Sequence, residues 1–238
     1  MKPPFTQIHG FGRSCLTLSR QPLRRISSIV PRRKAIFPDA SSSSHSDLQS
    51  FLKYAQKSGL NPKSTVYVGT HYEYTVAASL AQYGFSLKRV GGASDFGIDL
   101  LGSWAFPSSA EPLKTLVQCK AGAIGPHTIR ELEGAFVGAP VGWRGPGVLG
   151  ILASRKVATK GVADALARSR WPMIFFCCST DGIISQARWN HRAEQEGLEG
   201  LHAALLRSGD KAESRIVLTW KGKGLPAATS PRSDEADR

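Results

Sequence analysis

The chain has 238 residues, of which 41% are hydrophobic and 21% are charged, with 31 basic and 18 acidic side chains. This composition is ordinary for a folded protein and excludes wholesale disorder, and the length suits one main domain with extensions. The longest apolar stretch, residues 173–178, is far shorter than the ~18 residues that identify a membrane-spanning helix. A formal net charge of +13 indicates either a polyanionic partner or a basic targeting segment.

Much of this charge lies in residues 1–36, which contain eight basic residues and no acidic one. The segment is rich in Arg and carries Ser, Thr and scattered apolar residues, which is typical of a mitochondrial presequence. We therefore expect a protein of the mitochondrial matrix, with a mildly basic mature region. The alternative is that the segment is a basic arm that contacts nucleic acid directly.

The apolar periodicity predicts a Ser-rich linker and a short helix within 37–64, and then a main domain over 65–190. In chain order it predicts a helix over 70–83, strands over 85–90, 96–101 and 113–120, a helix over 129–137, a strand over 147–153, a helix over 160–170 and a strand over 172–178. We expect the first strands to form a meander and the later ones to pair in parallel across helices. The expected fold class is thus α/β, with a mixed central β-sheet flanked by helices.

The remaining 191–238 is predicted to be an extension and a tail. A helix over 186–207 and an edge strand over 215–220 make the extension, which occupies 191–220. Residues 221–238 are rich in Gly, Pro, Ser and charge, and we expect them to be disordered.

The candidate catalytic and metal-binding residues are concentrated between Glu73 and Lys120. Gln118 and Lys120 are two apart on a predicted strand and therefore share a face. If the strand of Asp99 pairs antiparallel with this one, a carboxylate, an amide oxygen and an ammonium group meet. Such a set suits phosphodiester hydrolysis, because Mg²⁺ binds hard oxygen ligands and an ammonium group stabilises developing negative charge.

Each of these residues also has a purely structural interpretation. Residues 70–73 fit a capping box, in which Glu73 bonds back to the start of its helix. Asp95 fits an Asx-turn beside Gly97. Asp99 and Lys120 fit a plain cross-strand ion pair.

The spacing of these residues resembles a known superfamily. Asp99 with Gln118-Cys119-Lys120 resembles the D…(E/Q)xK core of the PD-(D/E)XK, restriction-endonuclease-like superfamily. Glu73 on a helix, then the GGxxDxGID pattern over 91–99, then QxK, resembles most closely the Mrr-like branch. Together with the basic leader and the run 69–104, the chain resembles the fungal mitochondrial required for respiratory growth protein 7 family.

The resemblance implies a restriction-endonuclease-like fold and a Mg²⁺ or Mn²⁺ ion. Asp99, the amide oxygen of Gln118 and the backbone carbonyl of Cys119 would bind the metal, and Lys120 would position the attacking water. Glu73 would support the site from its helix, and Asp95 would lie just outside the metal ligands. The chain departs from many relatives in having Gln118 where they have Glu, and a neutral ligand weakens divalent-ion binding.

Our first functional hypothesis is a metal-dependent mitochondrial nuclease that acts on DNA. Basic residues around the site would contact the phosphates: Lys88, Arg89, Lys114, Arg130, Arg155 and Lys156. Related nucleases often pair to cut both strands, so the resemblance also allows a homodimer. The alternatives are a catalytically inactive protein of this fold that binds nucleic acid or serves as a scaffold, and an unrelated α/β enzyme.

Overall fold

The structure is a computed structural model that describes Phe37 and residues 44–90, 97–207 and 214–225. The predicted leader, the glycine turn at 91–92, Asp95 and residues 226–238 lie outside the described residues. The expectations for those segments stay predictions.

Six strands form the central sheet, and their order in the sheet is their order in the chain. They are β1 (Phe85–Arg89), β2 (Leu100–Trp104), β3 (Leu113–Lys120), β4 (Val148–Ser154), β5 (Met173–Cys178) and β6 (Ile184–Trp189). The strands β1 to β3 form an antiparallel meander, β3 to β5 are parallel, and β6 returns antiparallel to β5. This topology confirms the predicted α/β class with a mixed sheet.

Helices cover both faces of this sheet. They are α1 (Leu48–Ser58), α2 (Thr65–Ala81), α3 (Pro126–Gly138), α4 (Lys160–Arg168) and the single-turn α5 (His191–Ala193), which continues into a π-helical turn, Glu194–Leu198. Within the described part of the chain, no helix combines the length and the hydropathy that crossing a bilayer requires.

The two faces of the sheet have separate apolar cores, because successive strand residues point to opposite sides. Leu116 of β3 packs in the layer of α3 and α4, whereas its neighbour Val117 packs in the layer of α2. The same alternation puts Gln118 and Lys120 on the α3 side, and Cys119 packs against the α2 side. All seven residues of β4 are buried, as expected for a central strand covered on both faces.

Helix α2 begins earlier than predicted. Its N-cap is Ser64, whose hydroxyl accepts a hydrogen bond from the backbone N–H of Tyr67. Thr70 is consequently inside the helix, and the capping-box interpretation of residues 70–73 is wrong. The polar residues near Thr70 look like a helix start, although Ser64 provides the N-cap one and a half turns before them.

Strand β2 lies later in the chain than predicted and occupies part of the expected loop. It begins at Leu100 and continues to Trp104, with Gly102 at its centre. A Cβ atom at Gly102 would lie 1.9 Å from the backbone oxygen of Ser86 on β1. Here glycine allows a close approach of two strands, whereas in the sequence it suggests a break.

The predicted helix over 186–207 is wrong. The segment instead contains β6, the short α5 and a strand, β7 (Leu201–Arg207). Gly197 and Gly200 adopt φ angles of 125° and 85°, which interrupt any helix between α5 and β7.

The strand β7 belongs to a second sheet, with β8 (Ser214–Trp220) and β9 (Lys223–Gly224). The strand predicted over 215–220 is therefore confirmed in position, but it is the central strand of this sheet and does not form its edge. β9 lies within the stretch that we expected to be a disordered tail.

Candidate functional site

Three strand ends meet at one edge of the central sheet. β2 is antiparallel to both of its neighbours, with Leu100 paired to Arg89 on one side and to Val117 on the other. The end of β1, the start of β2 and the end of β3 therefore lie side by side. Asp99 directly precedes β2, and residues 118–120 end β3, so the topology brings the predicted site residues to this edge.

Asp99 is held on both sides by backbone hydrogen bonds. Its N–H donates to the carbonyl oxygen of Val117 (2.9 Å), and its carbonyl oxygen accepts from the N–H of Val90 (2.9 Å). A regular continuation of the β2–β3 register would place Asp99 opposite Gln118, so this bond to Val117 marks an irregularity in the ladder. Such irregularities change the direction of a side chain.

The carboxylate of Asp99 contacts β3 directly. Its Oδ2 accepts a hydrogen bond of 2.6 Å from the backbone N–H of Cys119. The carboxylate thus lies against the peptide bond that joins Gln118 to Cys119, and standard bond lengths place Oδ2 no more than about 5 Å from the Cα atom of Gln118. The predicted pairing of Asp99 with the end of this strand is present.

Gln118 contributes a buried amide. The residue is 4% exposed, and its side chain packs against Gly97, where a Cβ atom would lie 3.3 Å from Nε2. Among the residues that the structure describes, its Oε1 atom has no hydrogen-bond partner. An amide oxygen buried in this way costs about 1–3 kcal/mol, and a metal ion would satisfy it.

The donor set fits a hard cation that keeps most of its water. Mg²⁺ is commonly bound by one or two protein carboxylates, with water and phosphate oxygens in its other positions, and here Asp99 would be the carboxylate. The described residues contain no cluster of three or more His, Cys, Asp or Glu side chains suited to a metal ion. Any ion at this edge would therefore depend on Asp99 together with the oxygens of Gln118 and Cys119.

Lys120 has a partner that the sequence does not reveal. Its Nζ atom lies 2.9 Å from Oε2 of Glu131 on α3, and the two side chains are 35% and 47% exposed. A half-exposed pair of this kind contributes little to stability. No local pattern indicates Glu131, because only the packing of α3 beside β3 brings it near Lys120.

Glu73 approaches the same edge from α2 and forms an ion pair with Arg89 at the end of β1. Both side chains are largely buried. Burial raises the pKa of the Cys119 thiol, and the neighbouring carboxylates of Asp99 and Glu73 raise it further. Glu73 and Asp99 are therefore both close to Cys119.

The basic residues do not form one surface around the site. Arg155 and Lys156 are exposed and follow β4 at this edge, where the Arg155 guanidinium donates to the carbonyl oxygen of Ala121. Lys114 is the second residue of β3, about 20 Å from Lys120 along the strand, and its ammonium group donates to the carbonyl oxygen of Gly142. The prediction that Lys114 flanks the site is wrong, because it lies at the opposite end of the strand.

The other basic residues differ in their surroundings. Arg89 is engaged by Glu73. Lys88 is exposed, and its ammonium lies 5.1 Å from the ring centroid of Phe37. Arg130 is exposed on α3, four residues after Pro126 begins the helix.

These features define an α/β protein with a carboxylate, a buried amide and an ammonium group at one edge of a mixed sheet. The family model described as required for respiratory growth protein 7 matches residues 64–111 and 105–206, which together contain all of these groups. The chain belongs to this family.

Three curated relatives support the assignment. The chain is 36% identical over 155 residues to an uncharacterized mitochondrial protein of Schizosaccharomyces pombe, and the match covers 63% of this chain and 61% of that protein. It is 28% identical over 206 residues to the required for respiratory growth protein 7 of Eremothecium gossypii (69% and 86% covered). For the protein of the same name in Saccharomyces cerevisiae strain S288c, the identity is 26% over 166 residues (51% and 69% covered).

The names of these relatives confirm the predicted mitochondrial localisation and connect the family to respiratory growth. The chain spans about three fifths of the length of the fission yeast relative. No solved structure matches the chain. The finer likeness to the PD-(D/E)XK superfamily and its Mrr-like branch stays a prediction.

Proposed function

We propose that this chain is a mitochondrial nuclease of the PD-(D/E)XK type that binds Mg²⁺ or Mn²⁺ and hydrolyses phosphodiester bonds of DNA. The observation that carries the proposal is the buried Oε1 atom of Gln118, which has no partner among the described residues, in a residue whose following peptide bond the Asp99 carboxylate contacts. Two oxygen donors at adjoining strand ends would form a partial ligand shell for a hard cation.

Each residue has a role in this chemistry. Asp99 and Gln118, with the carbonyl oxygen of Cys119, would hold the cation. A bound divalent ion polarises the phosphoryl group and lowers the pKa of a water molecule. The hydrogen bond from the Cys119 N–H keeps the Asp99 carboxylate oriented before any ligand arrives. Lys120 would orient the attacking water or stabilise the charge that develops on the phosphate.

Two supporting contacts complete the proposed site. Glu73, held by its ion pair with Arg89, supports the α2 side of the edge. Arg155 and Lys156 provide exposed positive charge beside it for the DNA backbone. A nuclease at this site would contribute to respiratory growth by maintaining the mitochondrial genome, as a monomer or as a homodimer.

A second function is favoured by the observed pairing of Lys120 with Glu131. If this pair persists when nucleic acid binds, the ammonium group is not available to the phosphate. The neutral Gln118 also binds a metal ion more weakly than a carboxylate would. A protein with these properties would bind nucleic acid, or organise other proteins on it, without cutting it.

A cleavage assay tests the proposal. The purified full chain is incubated with supercoiled and single-stranded DNA in Mg²⁺, Mn²⁺ or EDTA. We expect metal-dependent nicking that falls by about 10²–10³ in Asp99→Asn and Lys120→Ala, as for the loss of one charge-stabilising group. The control is the exposed pair on α4, in the variants Lys160→Ala and Asp164→Asn, which should cut like the wild type.

Separate measurements of DNA binding distinguish the two functions. Wild-type protein that binds DNA but does not nick it in either metal would exclude hydrolysis and support the second function. Nicking that survives in both Asp99→Asn and Lys120→Ala would mean that the activity comes from elsewhere.

A further inference from the structure

Four exposed arginines and one exposed tryptophan are carried by neighbouring elements far from Asp99. They are Arg168, Arg170, Trp171, Arg188 and Arg192, and we refer to them as the arginine–tryptophan surface. Arg168 is the last residue of α4, and Arg170 and Trp171 lie between α4 and β5. Arg188 is on β6 and Arg192 is in α5. Arg188 pairs with Phe175 near the amino end of β5, whereas Asp99 lies at the carboxyl ends of the parallel strands. The two places are at opposite edges of the central sheet.

A single buried side chain holds this surface together. Asn190 is 3% exposed, and its Nδ2 atom donates to three carbonyl oxygens at the end of α4 and in the turn after it, those of Leu166 (3.1 Å), Ser169 (3.4 Å) and Trp171 (2.8 Å). Its Oδ1 atom accepts from the backbone N–H groups of Met173 and Ala193. The turn before β5 and the start of α5 are therefore fastened to the same amide.

A direct contact also joins the two segments. The Nε atom of Arg192 donates to the carbonyl oxygen of Arg170 at 3.2 Å. The guanidinium group of Arg192 thus lies against the turn that bears Arg168 and Arg170. Preorganised charge of this kind loses less conformational entropy when it binds a ligand.

The surface has an excess of positive charge. Between Asp164 and Glu194 the sequence contains one acidic residue, Asp181, which lies between β5 and β6 at the other end of these strands. Asp164, one turn before Arg168 on α4, pairs with Lys160 (2.7 Å), and two other nearby carboxylates also have contacts of their own. Glu133 accepts a hydrogen bond from the hydroxyl of Ser169 (2.7 Å), and Glu194 contacts the ring of His191 (3.0 Å).

Trp171 adds an aromatic ring to this charge. Its side chain is 37% exposed although it is large and apolar, and its ring stacks on Phe136 of α3 with a centroid distance of 4.8 Å and an angle of 19°. Phe136 supports one face of the indole and fixes its orientation. A supported, partly exposed indole is a suitable platform for a stacked base.

We infer that the arginine–tryptophan surface binds single-stranded nucleic acid, with phosphates on the arginines and a base on Trp171. The guanidinium group matches the geometry of a phosphate, and several such groups in a row follow a backbone. A base in a duplex has both faces covered by its neighbours, whereas a base in a single strand can stack on a side chain. This surface needs neither the metal ion nor Asp99, so it is distinct from the proposed nuclease site.

Fluorescence anisotropy of the full chain tests the inference. A labelled 20-nucleotide thymidine oligonucleotide and a duplex of equal length are titrated in EDTA at several salt concentrations. For the double variant Arg170→Ala/Arg192→Ala, we expect the slope of log affinity against log salt to fall by about 1.4, because each lost phosphate contact removes about 0.7. The variant Arg170→Lys/Arg192→Lys keeps the charge and should retain the slope.

The tryptophan is tested by a different readout. Trp171→Ala should weaken oligonucleotide binding about tenfold with an unchanged salt slope, because stacking releases no counterions. The control Lys53→Ala/Lys57→Ala removes two exposed charges from α1 and should leave the affinity for the oligonucleotide unchanged. The basic leader is common to all variants and does not affect these differences. Thermal melting followed by circular dichroism verifies that each variant is folded.

Three results would overturn the inference. The first is wild-type affinity in both the arginine and the tryptophan variants. The second is equal binding of duplex and oligonucleotide with no effect of Trp171→Ala. The third is binding to vesicles that contain phosphatidylserine without binding to the oligonucleotide. Binding measured in EDTA reports on this surface, whereas metal-dependent cleavage reports on Asp99, so loss of cleavage and loss of this surface are separate outcomes.

Discussion

Replacing Gln118 with Glu gives the sharpest test of the metal site. Gln118 is 4% exposed, and the Asp99 carboxylate contacts the peptide bond that joins it to Cys119. The new carboxylate would be buried beside an existing one. An ionised carboxylate buried without a partner costs several kcal/mol, and the negative charge of Asp99 on the adjoining strand adds to this cost, so we expect a loss of about 3 kcal/mol. At ~2–4 °C per kcal/mol for a chain of this size, the melting temperature in EDTA should fall by about 6–12 °C.

A divalent cation should reverse most of this loss. Two carboxylates hold Mn²⁺ more tightly than a carboxylate and an amide do. A ligand at 100 times its dissociation constant stabilises the folded state by about 2.7 kcal/mol, close to the loss that it would offset. Differential scanning fluorimetry of Gln118→Glu, with EDTA and then with increasing Mn²⁺, measures both effects on one sample.

The control for this experiment is another glutamine of the same sheet. The side chain of Gln186 on β6 is half-buried, and its Oε1 accepts a hydrogen bond of 2.9 Å from the N–H of Ala158. Gln186→Glu keeps that acceptor and adds the same charge elsewhere. If Mn²⁺ raises the melting temperature of Gln118→Glu no more than that of Gln186→Glu, no metal site exists beside Asp99.

Burial and close contacts determine three further outcomes. Gln118→Met should stabilise the protein by about 1 kcal/mol in urea titrations with EDTA, and should abolish any response to Mn²⁺. Gly102→Ala should destabilise the protein by at least ~3 kcal/mol in the same titration, because the new Cβ atom would meet a backbone oxygen. Gly134→Ala is the control, since a Cβ atom there meets open space on α3, and it should stabilise the protein by about 1 kcal/mol. Burial raises the pKa of Cys178 to about 11. The contribution of this thiol to stability is therefore complete below the pKa of the unfolded thiol and is lost as the pH rises towards 11. In Cys178→Ala, the urea midpoint should decline less steeply over this alkaline range.

The central sheet could be predicted because its strands carry strong local signals. The predicted bounds of β3 match Leu113–Lys120 to the residue, since a polar loop precedes the strand and glycines come after it. The parallel part is predictable from the alternation of apolar strands with amphipathic helices. The meander then places Asp99 next to the end of β3.

The missed features depend on contacts between distant segments. The start of α2 was misplaced because polar residues inside that helix imitate a cap. The C-terminal sheet was missed because apolar residues between 186 and 207 have a helical spacing. The glycines at 197 and 200 interrupt the helix that this spacing predicts, and β7 follows them. Glu131 is close to Lys120 only through the packing of α3 on the sheet.

The reason to expect a ligand at this edge comes from two features that the sequence does not show. Asp99 leaves the regular β-ladder and turns its carboxylate to the N–H of Cys119, a contact that no spacing rule predicts. Beside it, Gln118 buries an amide oxygen where an apolar side chain of similar size would avoid the cost of desolvation. Departures from the rules of stable packing concentrate at functional sites. Two such departures at adjoining strand ends, one charged and one neutral, favour a bound cation over a structural role for either residue.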